Sequence, residues 1–444
     1  MPFNLKSDGV QKLQLGHAAD YGVRQDGREG SVGKDVAEED LENHGYALLE
    51  VDNVLLAAIE RGKNESTRPA LVIRGRPNDA AVLCTETETY AIRRVDWSNT
   101  LLLAEHPQQD TAEMDTGIGT EASAQSSTAQ IHASLAHLLE ARRIQPNTSR
   151  LRDVMTQANA IWDGFSPVQT TPGVAMDELQ RQVQASQREL LEGLTAHDIV
   201  ALEDGAFRML ASEYVCHALA SIFTAFAAES VTLTEGSSVS PRMCFTAMDL
   251  GDSDAANAMD VDIPGSQMDE RVPATVIRHC FRRFAEPHRQ KVVDMAPYTH
   301  AHASVSAPVD DQLYAFSEHK VCRYLGHEIF RRSQETRYRR DDFMQAWADS
   351  VPEGYTVSLD MLAGICIAEE ESTSAAGVGD GSARPLLLRY LPADLLARDP
   401  AVRMRALFDA QPRWSAEALR VYLKELATTN EEIDGWLMKT VNTQ

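Results

Sequence analysis

The chain has 444 residues, 43% of them hydrophobic, and a formal net charge of −24 at pH 7, enough length for about three domains with buried cores. The charge excludes a surface coated in phosphate-binding cations, because nucleic-acid affinity comes mainly from neutralised phosphates, so any DNA contact must be local. Six cysteines (Cys84, Cys216, Cys244, Cys280, Cys322, Cys366) show no CxxC spacing, which excludes a recognisable zinc site or disulfide framework and fits a reducing compartment.

The start, MPFNLKSDGVQKLQ, has no apolar signal core, and no stretch approaches the roughly 20 apolar residues that span a bilayer. A soluble intracellular protein with no membrane partner is expected, beginning with a flexible tail over residues 1–43. Residues 44–104 carry short apolar runs (GYALLEV, ALVIRG, AAVLC, TYAIRRV, TLLLAE) separated by GRPND and TETE, turns short enough for hairpins. Val54, Leu55, Ala58 and Ile59 give one helical stripe between them. This is a small β-rich domain, short enough to expose edge strands that need a partner to cover them.

Residues 105–150 lose periodicity and gain Ser, Thr, Gly and Ala, the composition of a linker. Several helix-length patterns follow within residues 151–235. Residues 236–271 are acidic and rich in Gly, Ser and Asp, the signature of a flexible insertion. DLGDSDAANAMD within it is no calcium loop, since its glycine and the terminal glutamate fall in the wrong places. In residues 272–340, Val276, Ile277, Cys280, Phe281 and Phe284 share one helical face. A second helix, 316–332, sets Val321, Cys322, Leu325 and Ile329 against Lys320, Arg323, His327 and Arg331 on the opposite side.

From 341 to the end, DDFMQAWADS opens a helix with two acids at its positive end and buries Phe343 and Trp347 at i and i+4. SVPEGYTVSLDMLAGICIAEE then reads as a turn closed by Gly354, a short helix with Ser358 at its N-cap and glycine at its end, and a strand. LLLRYLP is the returning strand. Helix, turn, helix, strand, loop, strand is the order of a winged-helix unit. Two final helices, with Ser415 and Asn430 as caps, form a helix-turn-helix.

Taken in order, YALLEV…ALVIRG…AAVLCTETETYAIRRVDWSNTLLL, AMDELQRQVQASQREL and FMQAWADSVPEGYTVSLDMLAG…LLLRYLPADLL…LFDAQPRWSAEALRVYLKEL resemble the Dcc family. These are the sister chromatid cohesion subunits of an alternative, replication factor C-like clamp loader. The resemblance covers most of the chain apart from the tail and the linkers. It implies a nuclear, non-enzymatic subunit that joins a small accessory partner and the tail of the large ATPase subunit, with the N-terminal part completing small barrels with them. It also implies contact with DNA polymerase epsilon, with the region 172–235 as the polymerase-facing candidate, and with DNA, single- or double-stranded. PCNA is handled only indirectly. The fold class is then α+β, a small barrel-forming β-rich domain followed by tandem winged-helix domains over 151–235, 272–340 and 341–444. The acidic insertion and the long loop 371–384 depart from the family pattern.

DNA contact is expected where basic residues concentrate. The window 271–340 holds 13 Arg or Lys against 7 Asp or Glu, a local +6 that leaves −30 for the remainder. The candidates are Arg278, Arg282, Arg283, Lys320, Arg323, Arg331, Arg332, Arg337, Arg339 and Arg340, with Tyr338 interleaved. The alternative is a solvated helix face.

His300 and His302 lack a positioned third ligand, and GVGDGSARP lacks the Lys-Ser or Lys-Thr of a phosphate loop. Cys84 and Cys366 lie in apolar runs and read as inert core thiols. Trp347 falls on a buried stripe, whereas for Trp414 a partner anchor and a core role stay open. No nucleophile–base pair, paired acids or cofactor loop has recognisable spacing, so neither catalysis nor a cofactor is expected. A free-standing winged-helix DNA-binding regulator is the alternative function.

Overall fold

The computed structural model describes residues 47–64, 71–76, 79–105, 130–248, 250, 271–288, 310–333, 337–370 and 386–441. The tail 1–43, His300, His302, the loop 371–385 and the acidic run from 251 lie outside them. The chain divides into two units, Met1–Ala47 with Asp96–His137, and Leu48–Val95 with Leu138–Gln444. The described part of the first consists of segments of two long strands.

The N-terminal elements are β1 (Leu49–Glu50), α1 (Asn53–Asn64), β2 (Val72–Arg74), β3 (Val82–Cys84), β4 (Thr89–Glu105) and β5 (Gln130–Ile144). The strands form one sheet in the order β1-β5-β4-β3-β2 that does not close into a barrel among the described residues. TETE makes the expected hairpin: the Thr85 hydroxyl accepts from the Thr87 and Glu88 amides and donates to the Glu88 carbonyl. Leu55 and Ile59 bury the inner face of α1 over Leu83 and Tyr90, while Val54, expected on that stripe, is exposed. Residues 130–144, expected as linker, are a strand. Ala133, Leu135, Leu139 and Ala141 repeat with period two, but Ala, Leu and Glu are also good helix formers, and pairing with β4 decides the outcome.

The rest repeats one pattern three times. First come α2 (Arg150–Gln157), β6 (Ile161–Trp162), α3 (Met176–Gln182), α4 (Gln187–Ala196), β7 (Ile199–Ala201) and β8 (Phe207–Leu210), with sheet order β6-β8-β7. Next come α5 (Ser212–Ala228), α6 (Pro241–Ala247), α7 (Ala274–Phe284), β9 (Ala285–Pro287) and β10 (Tyr314–Phe316), where Val239 bridges to Tyr314 in place of a first strand. The third has α8 (Glu318–Arg332), β11 (Arg337–Arg339), α9 (Arg340–Ser350), a 3-10 turn at Leu359–Leu362, β12 (Cys366–Glu370) and β13 (Leu386–Tyr390), in the order β11-β13-β12. Three helices, α10 (Pro400–Ala410), α11 (Ala416–Leu423) and α12 (Asn430–Val441), finish the chain.

The units therefore run from about 150 to 210, 212 to 316 and 318 to 390. The boundaries expected at 235, 272 and 341 are displaced because α5 and α8, assigned by adjacency to the preceding unit, each open the next. Only the pairing of the last strand shows where a unit closes. The expected insertion 236–271 contains α6, whose start is encoded locally by Ser240, accepting from the Met243 amide, and by Pro241 at the first position. Ser358 makes no side-chain cap bond. At α12 it is the Thr429 hydroxyl, not Asn430, that accepts from the Glu432 amide.

One core runs from the strands of the first unit through the second and third, from Trp162 and Tyr214 to Phe343, Trp347 and Leu388. Trp347 donates its indole N–H to the Cys322 carbonyl at 2.8 Å, satisfying its polar atom inside the core. Gly164 has φ +83°, and a Cβ there would lie 2.0 Å from the Tyr214 ring, so this turn accepts only glycine. A second core lies under α2, α3 and α4, and a third under α10, α11 and α12. Trp414 belongs to that third core, edge-on to Tyr422 with its N–H on the Leu407 carbonyl.

The sheet joins the first unit through a buried hydrogen-bonded triangle. The Thr89 hydroxyl accepts from the Ser186 amide at 2.8 Å and donates to the Glu189 carboxylate at 2.5 Å, while Ser186 and Glu189 form the capping box of α4. Arg150 to Asp79 and Gln184 to the Ala80 carbonyl reinforce it. At the other end, Arg152 pairs with Asp394 and Arg398 donates to the Gln145 and Pro146 carbonyls, folding the C-terminal helices back to the start of the array.

Thr89→Val keeps the shape and removes one bond each from the buried Ser186 amide and the half-buried Glu189 carboxylate, which keep only their bonds to each other within the capping box. It is expected to cost about 1–3 kcal/mol, read as a lower urea midpoint, whereas exposed Thr87→Val stays within about 0.5 kcal/mol.

Burial holds His327, between α8 and Tyr390, down to about 4, with Arg331 acting in the same sense against Asp394 and Glu328. Its unfolded imidazole takes a proton below about 6.5. Its contribution is therefore complete above that pH and is lost as pH falls toward 4. Urea midpoints are expected to drop across this window, with a shallower drop in His327→Gln.

Candidate partner and nucleic-acid interfaces

Among the described residues, β2 is an edge strand that pairs with β3 alone, and its Val72 and Ile73 are 37% and 47% exposed. Successive strand residues point to opposite faces, so each face of β2 carries a partly exposed apolar side chain, and no described strand pairs with its outer edge. Val54 and Leu56 on α1 add two further exposed apolar side chains. The edge is held in place from behind, where Arg74 donates to the Gln180 carbonyl in the first unit and is lowered below its usual pKa by burial.

The ten candidate DNA residues do not form one open basic face. Arg278 holds Asp310 with two bonds of 2.7 Å and lies over the Phe245 ring. Arg283 reaches Asp198, Lys320 pairs with Glu286, Arg331 with Glu328 and Arg337 with Glu369. Arg323 donates to the carbonyls of Met361 and Ala363, and burial lowers its pKa. The side of α8 that alternation makes basic is thus turned to neighbouring elements. Exposed positions among the ten include Arg282, Arg332, Arg339 and Arg340. Arg339 keeps only a long 3.9 Å approach to Asp342.

The helix that occupies the third position of the second unit, α7, is the most enclosed of all. Val276, Ile277, His279, Cys280, Phe281 and Phe284 are buried. His279 contacts Asp198 at 3.0 Å, where Asp198 sits at φ +57° between α4 and β7. This contact was invisible in the sequence, since 81 residues separate the partners. A helix so placed is an internal strut.

Among the described residues no three His, Cys, Asp or Glu side chains are gathered as a metal site, and no helix is long and apolar enough to cross a membrane. The thiols are held as thiols: burial pushes Cys244, Cys322 and Cys366 up to about 12 and Cys216 to about 11, and raises Cys84.

Two comparisons bear on this architecture. The family model described as "Sister chromatid cohesion protein Dcc1" matches residues 46–423, which spans the sheet, the three repeated units and most of the C-terminal helices. The chain is 27% identical over 398 residues to the sister chromatid cohesion protein DCC1 of Danio rerio, covering 89% of this chain and 85% of that protein. It is 22% identical to the human protein of that name, over 89% and 84%, and 21% identical to a probable DCC1 of Dictyostelium discoideum, over 88% and 89%. None of these names is that of an enzyme. The match runs across both the open sheet and the helical array in one order, and the chain belongs to the Dcc1 family of sister chromatid cohesion proteins.

Proposed function

We propose that the chain is a non-catalytic adaptor subunit of an alternative, replication factor C-like clamp loader that acts on PCNA in the nucleus. The observation that carries this is the bare β2 edge anchored on a rigid array: a strand pair that ends in exposed Val72 and Ile73 is built to be continued by another chain. The large ATPase subunit and the small accessory subunit supply the missing strands and close the sheet toward a barrel. The repeated helix–strand–helix–helix–strand–strand order, with the last strand central in both three-stranded sheets, supports the winged-helix reading. Tandem winged helices then present DNA polymerase epsilon with the first unit. DNA is met at the exposed arginines beside β11, Arg339 and Arg340.

Affinity purification of the tagged full-length chain from its own cells, with nuclease, tests the reading. Recovery of the clamp-loader ATPases and polymerase epsilon supports it. Recovery of the chain alone or with transcription factors puts a winged-helix regulator in its place. Val72→Lys with Ile73→Lys is expected to reduce recovery of the ATPase and small subunits at least about tenfold while leaving polymerase contact through the first unit. Arg339→Glu with Arg340→Glu is expected to weaken DNA binding and flatten its salt dependence at unchanged thermal stability. Unchanged DNA affinity removes these residues from the interface.

A further inference from the structure

A groove of about 450 Å³ opens between α5 and α8, beside the end of α9. Leu219, Phe223, Leu325 and Ile329 form its apolar walls. Two polar groups interrupt them. Glu328 is 2% exposed and gives one oxygen to Arg331 at 2.9 Å, while its other oxygen has no hydrogen-bond partner. Arg332, one residue from that pair, is exposed and lines the groove. Its charge acts on the Cys216 thiol, also in the lining, as an opposing influence to burial.

Glu328 is already committed to Arg331, and Arg332 stands as an exposed cation in the lining of an apolar trough, in a chain whose overall charge is −24. The buried orphan oxygen is left without a donor. An apolar trough with an acceptor in its lining and an exposed cation beside it is the complement of an amphipathic surface.

We propose that this groove docks an amphipathic helix of a partner protein, two apolar side chains one turn apart filling the trough and a flanking carboxylate meeting Arg332. Helix-in-groove binding takes its energy from such i, i+4 anchors and its orientation from the charged pair. The volume has room for a pair of large side chains. The site is separate from the β2 edge and independent of which assembly the sheet joins.

The probe is a stapled helical peptide of about four turns carrying Leu at two positions one turn apart with Glu beside them, and its twin with Lys in place of Glu. Binding to the full chain is read by fluorescence anisotropy. The acidic peptide is expected to bind, and Arg332→Glu to weaken it at least about tenfold and to reverse the preference toward the basic twin. Ala220→Trp places a large ring into the groove from an exposed position, so it is expected to abolish binding without unfolding the chain. The proposal is overturned if neither peptide binds the folded wild-type chain, or if binding ignores both substitutions. It is also overturned if a DNA duplex binds in a manner lost with Arg332→Glu and untouched by Ala220→Trp, which would mark Arg332 as a phosphate contact instead.

Discussion

The molecule depends on a buried triangle of three polar side chains. Thr89 begins the longest strand of the sheet, and Ser186 and Glu189 begin the helix at the third position of the first repeated unit. One hydroxyl satisfies both the helix's free amide and its capping carboxylate, so the sheet and the array share a single set of hydrogen bonds. Polar groups at zero exposure are tolerated only when paired, and here each partner lies on the other element. These shared bonds fix the strand and the helix relative to each other.

The same logic governs the arginines. In a chain with 66 acids and 42 basic residues, many cations among the described residues find a carboxylate close by. Arg278, Arg283, Lys320, Arg331 and Arg337 do so, and fully buried Arg403 spends its guanidinium on the carbonyls of Ala397, Tyr422 and Leu396 and on Glu425. The planar fork suits this bracing of loop carbonyls, which an ammonium does less well. A local excess of basic residues is therefore mostly internal wiring, and the positions available to phosphate or to acidic partners shrink to a few exposed ends.

The burial of α7 has a related consequence. The helix that would read a groove in a free-standing DNA-binding unit is packed instead against α4, β7 and α8, with His279 and Arg283 gathered on Asp198. The tandem array gains a continuous core and gives up that surface. The surfaces left open among the described residues include the β2 edge and the groove between α5 and α8.

Much of this was legible in the residues. The buried stripes of α7 and α9, the TETE hairpin, the order of elements in the third unit and the Ser415 cap follow from period, turn chemistry and capping, which act over a few residues. Leu325 and Ile329 were placed on the core side of α8, where the structure leaves them half-covered in a groove. Pairing partners were not legible: Arg323 meets carbonyls 38 and 40 residues away, Lys320 meets Glu286, and Asp198 meets His279. Strand β5 and the unit boundaries were missed for the same reason. The sequence by itself determined which segments become helix or strand and which family the chain resembles, because those signals are local or ordered along the chain. Only the tertiary structure decided which cations are free, which helix is buried and where the sheet ends, because each depends on what the fold brings alongside.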